Sequence, residues 1–217
     1  DAFEARAASA LSSLIKKNNL RIGKAAAVLP DSDALFRNSL LPTNNQDEIG
    51  GMAALEMEYF TMMPLSEINV AWFTIDPAQP GGIRTGIVAA KKSAVQSIAS
   101  ILRKAGVIPE VITTGGIAAA NYFSPSVKNS TVLAVCGESA GASIYIIGRN
   151  GLAMSGGHPT ANGSGRLDIA EMAASVRMAL QSAEHEEPAE IIIFGETSIL
   201  PATGEIETEF GLKTKIS

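Results

Sequence analysis

Apolar positions along this chain alternate between two periods. Phe3, Ala7, Ala10, Leu11, Leu14 and Ile15 recur at helical spacing, and Lys16-Lys17 sit in the last turn, so Ala2 to Asn19 reads as an amphipathic helix. Gly23 to Leu29 is a short apolar run closed by Pro30 and reads as a buried strand. Asp31-Ser32-Asp33 comes next as a turn or cap, its acids expected in solvent. Phe36 to Leu41 reads as a strand, and Glu48 to Phe60 as a helix capped by Asp47 or Thr43 and ended by Pro64. Ile68 to Ile75 alternates as a strand does, Pro77 to Gly82 is a loop, and Arg84 to Ala90 is a further strand. Lys91 to Ala105 carries the stripe Val95, Ile98, Ala99 and Leu102, with Ser93 as a cap and Gly106 as a stop. Val107 to Thr113 reads as a strand, Gly115 to Phe123 as a short helix and Ser124 to Ser130 as a loop.

Thr131 to Gly157 supports two competing readings. Gly137-Glu138-Ser139-Ala140-Gly141 fits G-x-S-x-G, the nucleophile elbow of α/β-hydrolases, in which a helix must come after the second glycine. Ala142 to Ile147 is instead β-branched and aromatic, and it ends at Arg149-Asn150-Gly151, a hairpin signal. The expectation is therefore a meander: strand Val132–Val135, strand Ala142–Ile147 and return strand Leu152–Ser155. A serine esterase using Ser139 also lacks suitable partners, because His158 is too near and His185 lies in the charged run 184–187. Downstream, Gly156 to Gly165 is a mobile loop, Leu167 to Ala183 a helix and Glu190 to Phe194 a buried strand. Gly195-Glu196-Thr197 turns the chain, then Glu205 to Phe210 is a last helix and Leu212 to Ile216 a terminal strand.

Composition narrows the function. A net charge of -5 and few aromatics argue against nucleic acid as a partner, since phosphate binding and base stacking need clustered cations and rings. No run approaches the roughly 18 apolar residues of a membrane helix. The single Cys136 excludes an internal disulfide and suits a reducing compartment; in an apolar strand it is expected to be a small buried hydrophobe. Met52, Met57, Met62 and Met63 are expected to fill the core, an adaptable contact surface being the alternative.

Three stretches carry a resemblance. Ala26-Ala27-Val28-Leu29-Pro30-Asp31-Ser32 resembles the strand, Leu-Pro and serine of the PilM family, the actin-like proteins of type IV pilus assembly and relatives of the GspL cytoplasmic domain of type II secretion. Ala54 to Asn69 resembles that family's helix with E-x-E followed by P-L-x-E, and Gly86 to Lys92 with Leu102 to Gly106 resembles its "VAA-K-K" strand and helix. The resemblance implies an α/β fold of actin-like, ribonuclease-H-like lobes with an inserted α+β subdomain and N-terminal strands missing from the chain. It divides the chain into 1–34 with 113–130 as an incomplete first lobe, 35–112 as the insert, and 131–217 as the second lobe with its adenine-side subdomain reduced or absent.

The resemblance also implies a nucleotide site, in degenerate form: Gly137, Glu138, Ser139, Gly141 and Gly195 stand where the family holds phosphate and adenosine. The family's Asp-x-Gly occurs nowhere in the chain, and Cys136-Gly137-Glu138 stands in its place. The expectation is no catalytic residue, no resident metal or cofactor and no efficient ATP/Mg²⁺ turnover, with ATP binding left open, because hydrolysis needs Mg²⁺ on carboxylates and a positioned water. The implied partner is an inner-membrane PilN-like peptide, received between the first lobe and the insert. The implied role is a scaffold that is cytoplasmic, peripheral to the inner membrane without inserting into it, with homo-oligomers open. The rivals are the esterase and an ATP-binding actin-like ATPase.

Overall fold

The structure, a computed structural model, describes residues 2–123, 125, 127, 130–138, 141–159, 168–182 and 187–217. Ten strands and six helices lie within them. In chain order they are α1 (Ala2–Lys17), β1 (Lys24–Leu29), β2 (Ala34–Leu41), α2 (Gln46–Thr61), β3 (Ile68–Gln79), β4 (Gly82–Lys91), α3 (Lys92–Lys104), β5 (Ile108–Thr114) and α4 (Gly115–Phe123). Then come β6 (Thr131–Glu138), β7 (Gly141–Gly148), β8 (Gly151–Pro159), α5 (Ile169–Ser182), β9 (Pro188–Gly195), α6 (Thr203–Phe210) and β10 (Thr214–Ile216).

The largest sheet has the order β10-β9-β6-β7-β8. β6 pairs antiparallel with β7 and parallel with β9, and β7 pairs antiparallel with β8. The period-two rule sorts its residues onto two apolar faces. Leu133, Val135, Ile144, Ile146, Ile191 and Ile193 point to one side, where Met172 and Val176 of α5 and Ile206 of α6 cover them. Val132, Ala134, Tyr145, Ile147 and Ile192 point to the other, against Ala119, Ala120 and Phe123 of α4. Both faces are covered by helices, which is why these strands read as nearly continuous apolar runs.

Two smaller sheets complete the fold. β1 pairs in parallel with β5, and α3 bears on both strands and on α1. Between β1 and β5 in sequence comes an antiparallel sheet of order β2-β4-β3. One of its faces is covered by α2 through Ile49, Ala53 and Met57, which pack against Leu41, Ile68, Ile83, Ile87 and Ala89. Its other face approaches β8 and α4, with Phe36 in their cluster and Phe73 stacked on Phe36 at 6.3 Å.

Several local expectations are corrected. α2 is capped by Asn45, whose side chain accepts from the Asp47 amide at 3.0 Å; neither Asp47 nor Thr43 is the cap. Thr43 instead donates to Glu48 at 2.6 Å, and its Oγ1 accepts from the Asn45 amide. Ser93 is not a cap either, because α3 begins at Lys92 and the cap position is Lys91, which makes no side-chain capping bond. The expected 77–82 loop shrinks to the Pro80-Gly81 turn, since cross-strand pairing continues to Gln79↔Gly82. The glycine-rich stretch after Ser155 remains strand to Pro159, and residues 160–167 lie outside the described ones. Asp168 caps α5 by accepting from the Ala170 and Glu171 amides.

Glu4 ties α1 to α3. Its carboxylate accepts from Lys104 and from Ser100, both at 2.8 Å. These bonds, Lys104 first, hold its pKa at about 2 against an ordinary 4.5. A carboxylate with a depressed folded-state pKa contributes stability present above the unfolded value and lost as pH falls through the folded one. Thermal melts should therefore show the wild type above Glu4→Gln at neutral pH. The gap should close between pH 4.5 and about 2.

Candidate functional site

β1 ends at Leu29, buried, and Pro30 turns the chain into a short 3₁₀ turn at Asp31–Asp33. This delivers the Asp31 carboxylate to the five-stranded sheet. Its Oδ2 accepts from the Tyr145 hydroxyl at 2.6 Å, and its Oδ1 from the Ser155 hydroxyl at 3.2 Å. A longer contact of 3.5 Å brings the Gly116 amide, in the first turn of α4, to the same Oδ1. Asp31 is thus not a solvated turn acid but the acceptor that joins β1 to β7, β8 and α4.

Side-chain-free backbone makes this approach possible. A Cβ on Gly115 would lie 2.5 Å from both Asp31 Oδ2 and the Tyr145 oxygen, and one on Gly116 would lie 2.8 Å from Ser155 Oγ. Tyr145 is buried. Burial first, then its bond to Asp31, raises its pKa far above the ordinary phenol value, so it stays a donor.

Four of the five residues expected at the degenerate nucleotide site are described, on β6, β7 and β9 beside this cluster. Gly137 and Gly195 are direct partners in the β6–β9 register. They sit so close that a Cβ on Gly137 would fall 2.0 Å from the Glu196 carbonyl oxygen, and one on Gly195 2.5 Å from the Gly137 oxygen. Gly195 has φ +79, a conformation that favours glycine. Glu138 pairs with Gly141 at the end of the β6–β7 ladder, and its carboxylate accepts from Ser143 Oγ at 2.6 Å. Ser139 lies outside the described residues, as does His185. Cys136 pairs with Ser143 across the ladder and is half-buried rather than fully buried. Burial, then the charges of Glu138 and Asp31, pushes its thiol up to about 11.

The chain past Gly141 is strand, not helix, and folds back at Asn150-Gly151. The nucleophile elbow needs a strand-to-helix turn, so the geometry of a hydrolase is not built here. The sequence signal missed was Asp31, whose hydroxyl partners lie 114 and 124 residues away.

A second feature lies where β2 begins and β4 ends. Ser32, Asp33, Leu35, Phe60, Met63, Ile68 and Ala89 are among the residues lining a groove of about 320 Å³. The Arg37 guanidinium stands 3.4 Å over the Phe60 ring and is held by Glu56 at 2.5 Å. The groove is mostly apolar, with Asp33 and Lys91 also in its lining.

No family model and no curated protein sequence matches the chain. Solved structures do. The chain is similar to one described as the PilM-PilN type IV pilus biogenesis complex, at 14% identity and TM-score 0.80, over 98% of this chain and 74% of that one. It is also similar to the cytoplasmic domain of EpsL, an inner-membrane component of the Vibrio cholerae type II secretion system, at 11% identity and TM-score 0.59, over 89% of this chain and 70% of that one. A Bacteroides thetaiotaomicron protein of actin-like ATPase fold and unknown function matches at 11% identity and TM-score 0.53, over 89% and 68%. The fold is therefore actin-like, as the resemblance implied.

Two outcomes check the Asp31 cluster. Tyr145→Phe should lower unfolding stability by about 1–3 kcal/mol in denaturant titrations, because it strips a half-buried carboxylate of one of its two hydroxyl donors. Cys136 should react slowly with a thiol reagent at neutral pH in the folded protein and promptly once unfolded.

Proposed function

We propose that the chain is an actin-like scaffold of a type IV pilus or type II secretion-like assembly. It works on the cytoplasmic face of the inner membrane, holds a PilN-like partner peptide and does not turn over ATP efficiently. In this reading residues 1–34 and 113–130 form the first lobe, 35–112 the insert and 131–217 the second lobe. The observation that carries it is the groove at the junction of β2, β4 and the end of α2, in a chain whose fold matches the PilM-PilN structure over nearly its whole length. Its lining of Leu35, Phe60, Ile68 and Ala89 suits an extended segment with apolar side chains, which recognition of a short peptide requires. No helix among the described residues is long and apolar enough to cross a membrane, and in this reading the partner supplies the attachment.

The nucleotide side of the proposal rests on how the carboxylates are used. Asp31 is engaged by Tyr145 and Ser155, and Glu138 by Ser143. ATP with Mg²⁺ would need those oxygens for the metal and its waters. Gly137, Glu138, Ser139, Gly141 and Gly195 are therefore proposed as the remnant of a phosphate site. Gly137, Glu138, Gly141 and Gly195 are close enough together to make an ATP-binding protein the second reading.

The test is binding of the cytoplasmic N-terminal peptide of the source cell's PilN-like protein. Leu35→Ser should weaken it about tenfold, a loss of about 1.4 kcal/mol, while leaving the melting curve nearly unchanged. Calorimetry with ATP and Mg²⁺ should show no saturable micromolar binding. Tight ATP binding with turnover would move the reading to the ATPase, and peptide binding indifferent to Leu35 would remove the groove.

A further inference from the structure

α2 turns Ile49, Ala53 and Met57 into the sheet, each fully buried. Its opposite side carries a row spaced four, four and three residues apart: Gly51, Leu55, Tyr59 and Met62. Leu55 is 65% exposed, Tyr59 78% and Met62 93%. A surface helix ordinarily presents polar side chains on that side.

Two positions in this row sacrifice stability with no return inside the molecule. Met62 ends the helix in the left-handed region, at φ 52. α6 makes the same kind of ending with Gly211, at φ 67. A long side chain there is strained where glycine is not, and such strain concentrates at functional positions. Gly51 lies in mid-helix with nothing within 4 Å of where a Cβ would stand. Glycine weakens a helix interior, and no packing among the described residues demands it. Its neighbour Gly50 differs, since the Trp72 ring lies 3.2 Å away.

We propose that this row is a docking face for a basic amphipathic helix of a partner protein. Gly51 leaves a low point on which a second helix can lie closely, and Leu55, Tyr59 and Met62 supply the ridge it packs against. Next to Leu55 and Met52 opens a groove of about 590 Å³ alongside β2, able to receive a large side chain from the visitor. Charge selects the sign. From Thr43 to Asn69 the chain carries Asp47, Glu48, Glu56, Glu58 and Glu67 and no Lys or Arg. The nearby Arg37 pairs with Glu56 and cancels its charge, and Arg84 lines the groove alongside β2, so Asp47, Glu48, Glu58 and Glu67 set the sign of the face. A visitor flanked by Lys and Arg meets complementary charge. An anionic lipid surface would meet like charge, and so would a second copy laid row to row. The face borders the peptide groove at the end of α2, where Phe60 and Met63 line that groove, and does not depend on the pilus reading.

The probe is a fluorescent amphipathic peptide of about 15 residues built from Leu and Lys, against its Leu/Glu counterpart and a scrambled Leu/Lys sequence. Anisotropy titrations with the full chain should show binding of the first and neither control. Leu55→Ser and Tyr59→Ser should each weaken it about tenfold or more. The decisive variants are Met62→Gly and Gly51→Ala, expected to raise the melting temperature and yet reduce affinity. That combination separates a docking role from a structural one. Equal binding of the scrambled peptide, or affinity unmoved by all four variants, overturns the proposal. So does self-association abolished by Leu55→Ser, or attachment to phosphatidylserine vesicles through the same row.

Discussion

The junction between β1 and the five-stranded sheet depends on one carboxylate held in a half-buried setting. Asp31 accepts two hydroxyl bonds from β7 and β8 and faces the first turn of α4. Bonds to a charged group are each worth about 1.5–3 kcal/mol net, and the charge becomes a liability once its donors go. That asymmetry makes Asp31 a strong specifier of position. A shift of β1 relative to β7 would cost both hydroxyl bonds together. The Gly115-Gly116 pair is the complementary half of the device, because any side chain there would occupy the space the carboxylate and hydroxyls use.

The segment after Asp31 inherits its placement. β2 starts three residues later, and the groove proposed for a partner peptide is lined by the intervening Ser32 and Asp33. The inserted sheet is gripped on both faces, by α2 on one and by Phe36 and Phe73 against α4 and β8 on the other. By contrast, the β1–β5 pair leaves Val28, Ile108 and Val111 half exposed or more. An isolated strand pair is marginal by itself. Its stability has to come from α3 and α4 and from the contact that Asp31 makes, so the thinnest sheet leans hardest on the carboxylate.

The elements with regular periodicity were legible in the sequence. Val132–Val135, Ala142–Ile147 and the Asn150-Gly151 corner foretold β6, β7 and β8, because β-branched runs around an Asn-Gly corner leave few other solutions. The stripe of α3 and the apolar core of β9 were equally plain. Choices among chemically equivalent neighbours could not be read. Asn45 rather than Thr43 or Asp47 caps α2, since each can do so and the winner depends on where Glu48 bonds. The methionines divided for a similar reason: Met57 is core, whereas Met62, expected inside, stands in solvent just past the helix end. Asp31 escaped because a turn acid looks the same in sequence whether its partner is water or a tyrosine far along the chain. Gly137 and Gly195 were placed together by the β6–β9 register, which derives from apolar patterning; that placement says nothing by itself of a ligand.

The same economy bears on nucleotide chemistry. In a cleft of this fold a metal–phosphate occupant needs carboxylate oxygens that are free to hold hydrated Mg²⁺. Here the nearby carboxylates are matched to Ser and Tyr hydroxyls at hydrogen-bond distance. Those hydroxyls lie on β7, with Ser143 and Tyr145 both buried on the face that looks toward α4. To enter, a metal would have to strip donors from groups that water cannot readily resupply, and Tyr145 would be left a buried donor without an acceptor. The interactions that align the sheets therefore compete with the interactions that would bind Mg·ATP. In the scaffold reading proposed above, acids used as internal fasteners would give a fixed geometry for docking partners at the expense of the loosely held carboxylates on which phosphoryl transfer depends.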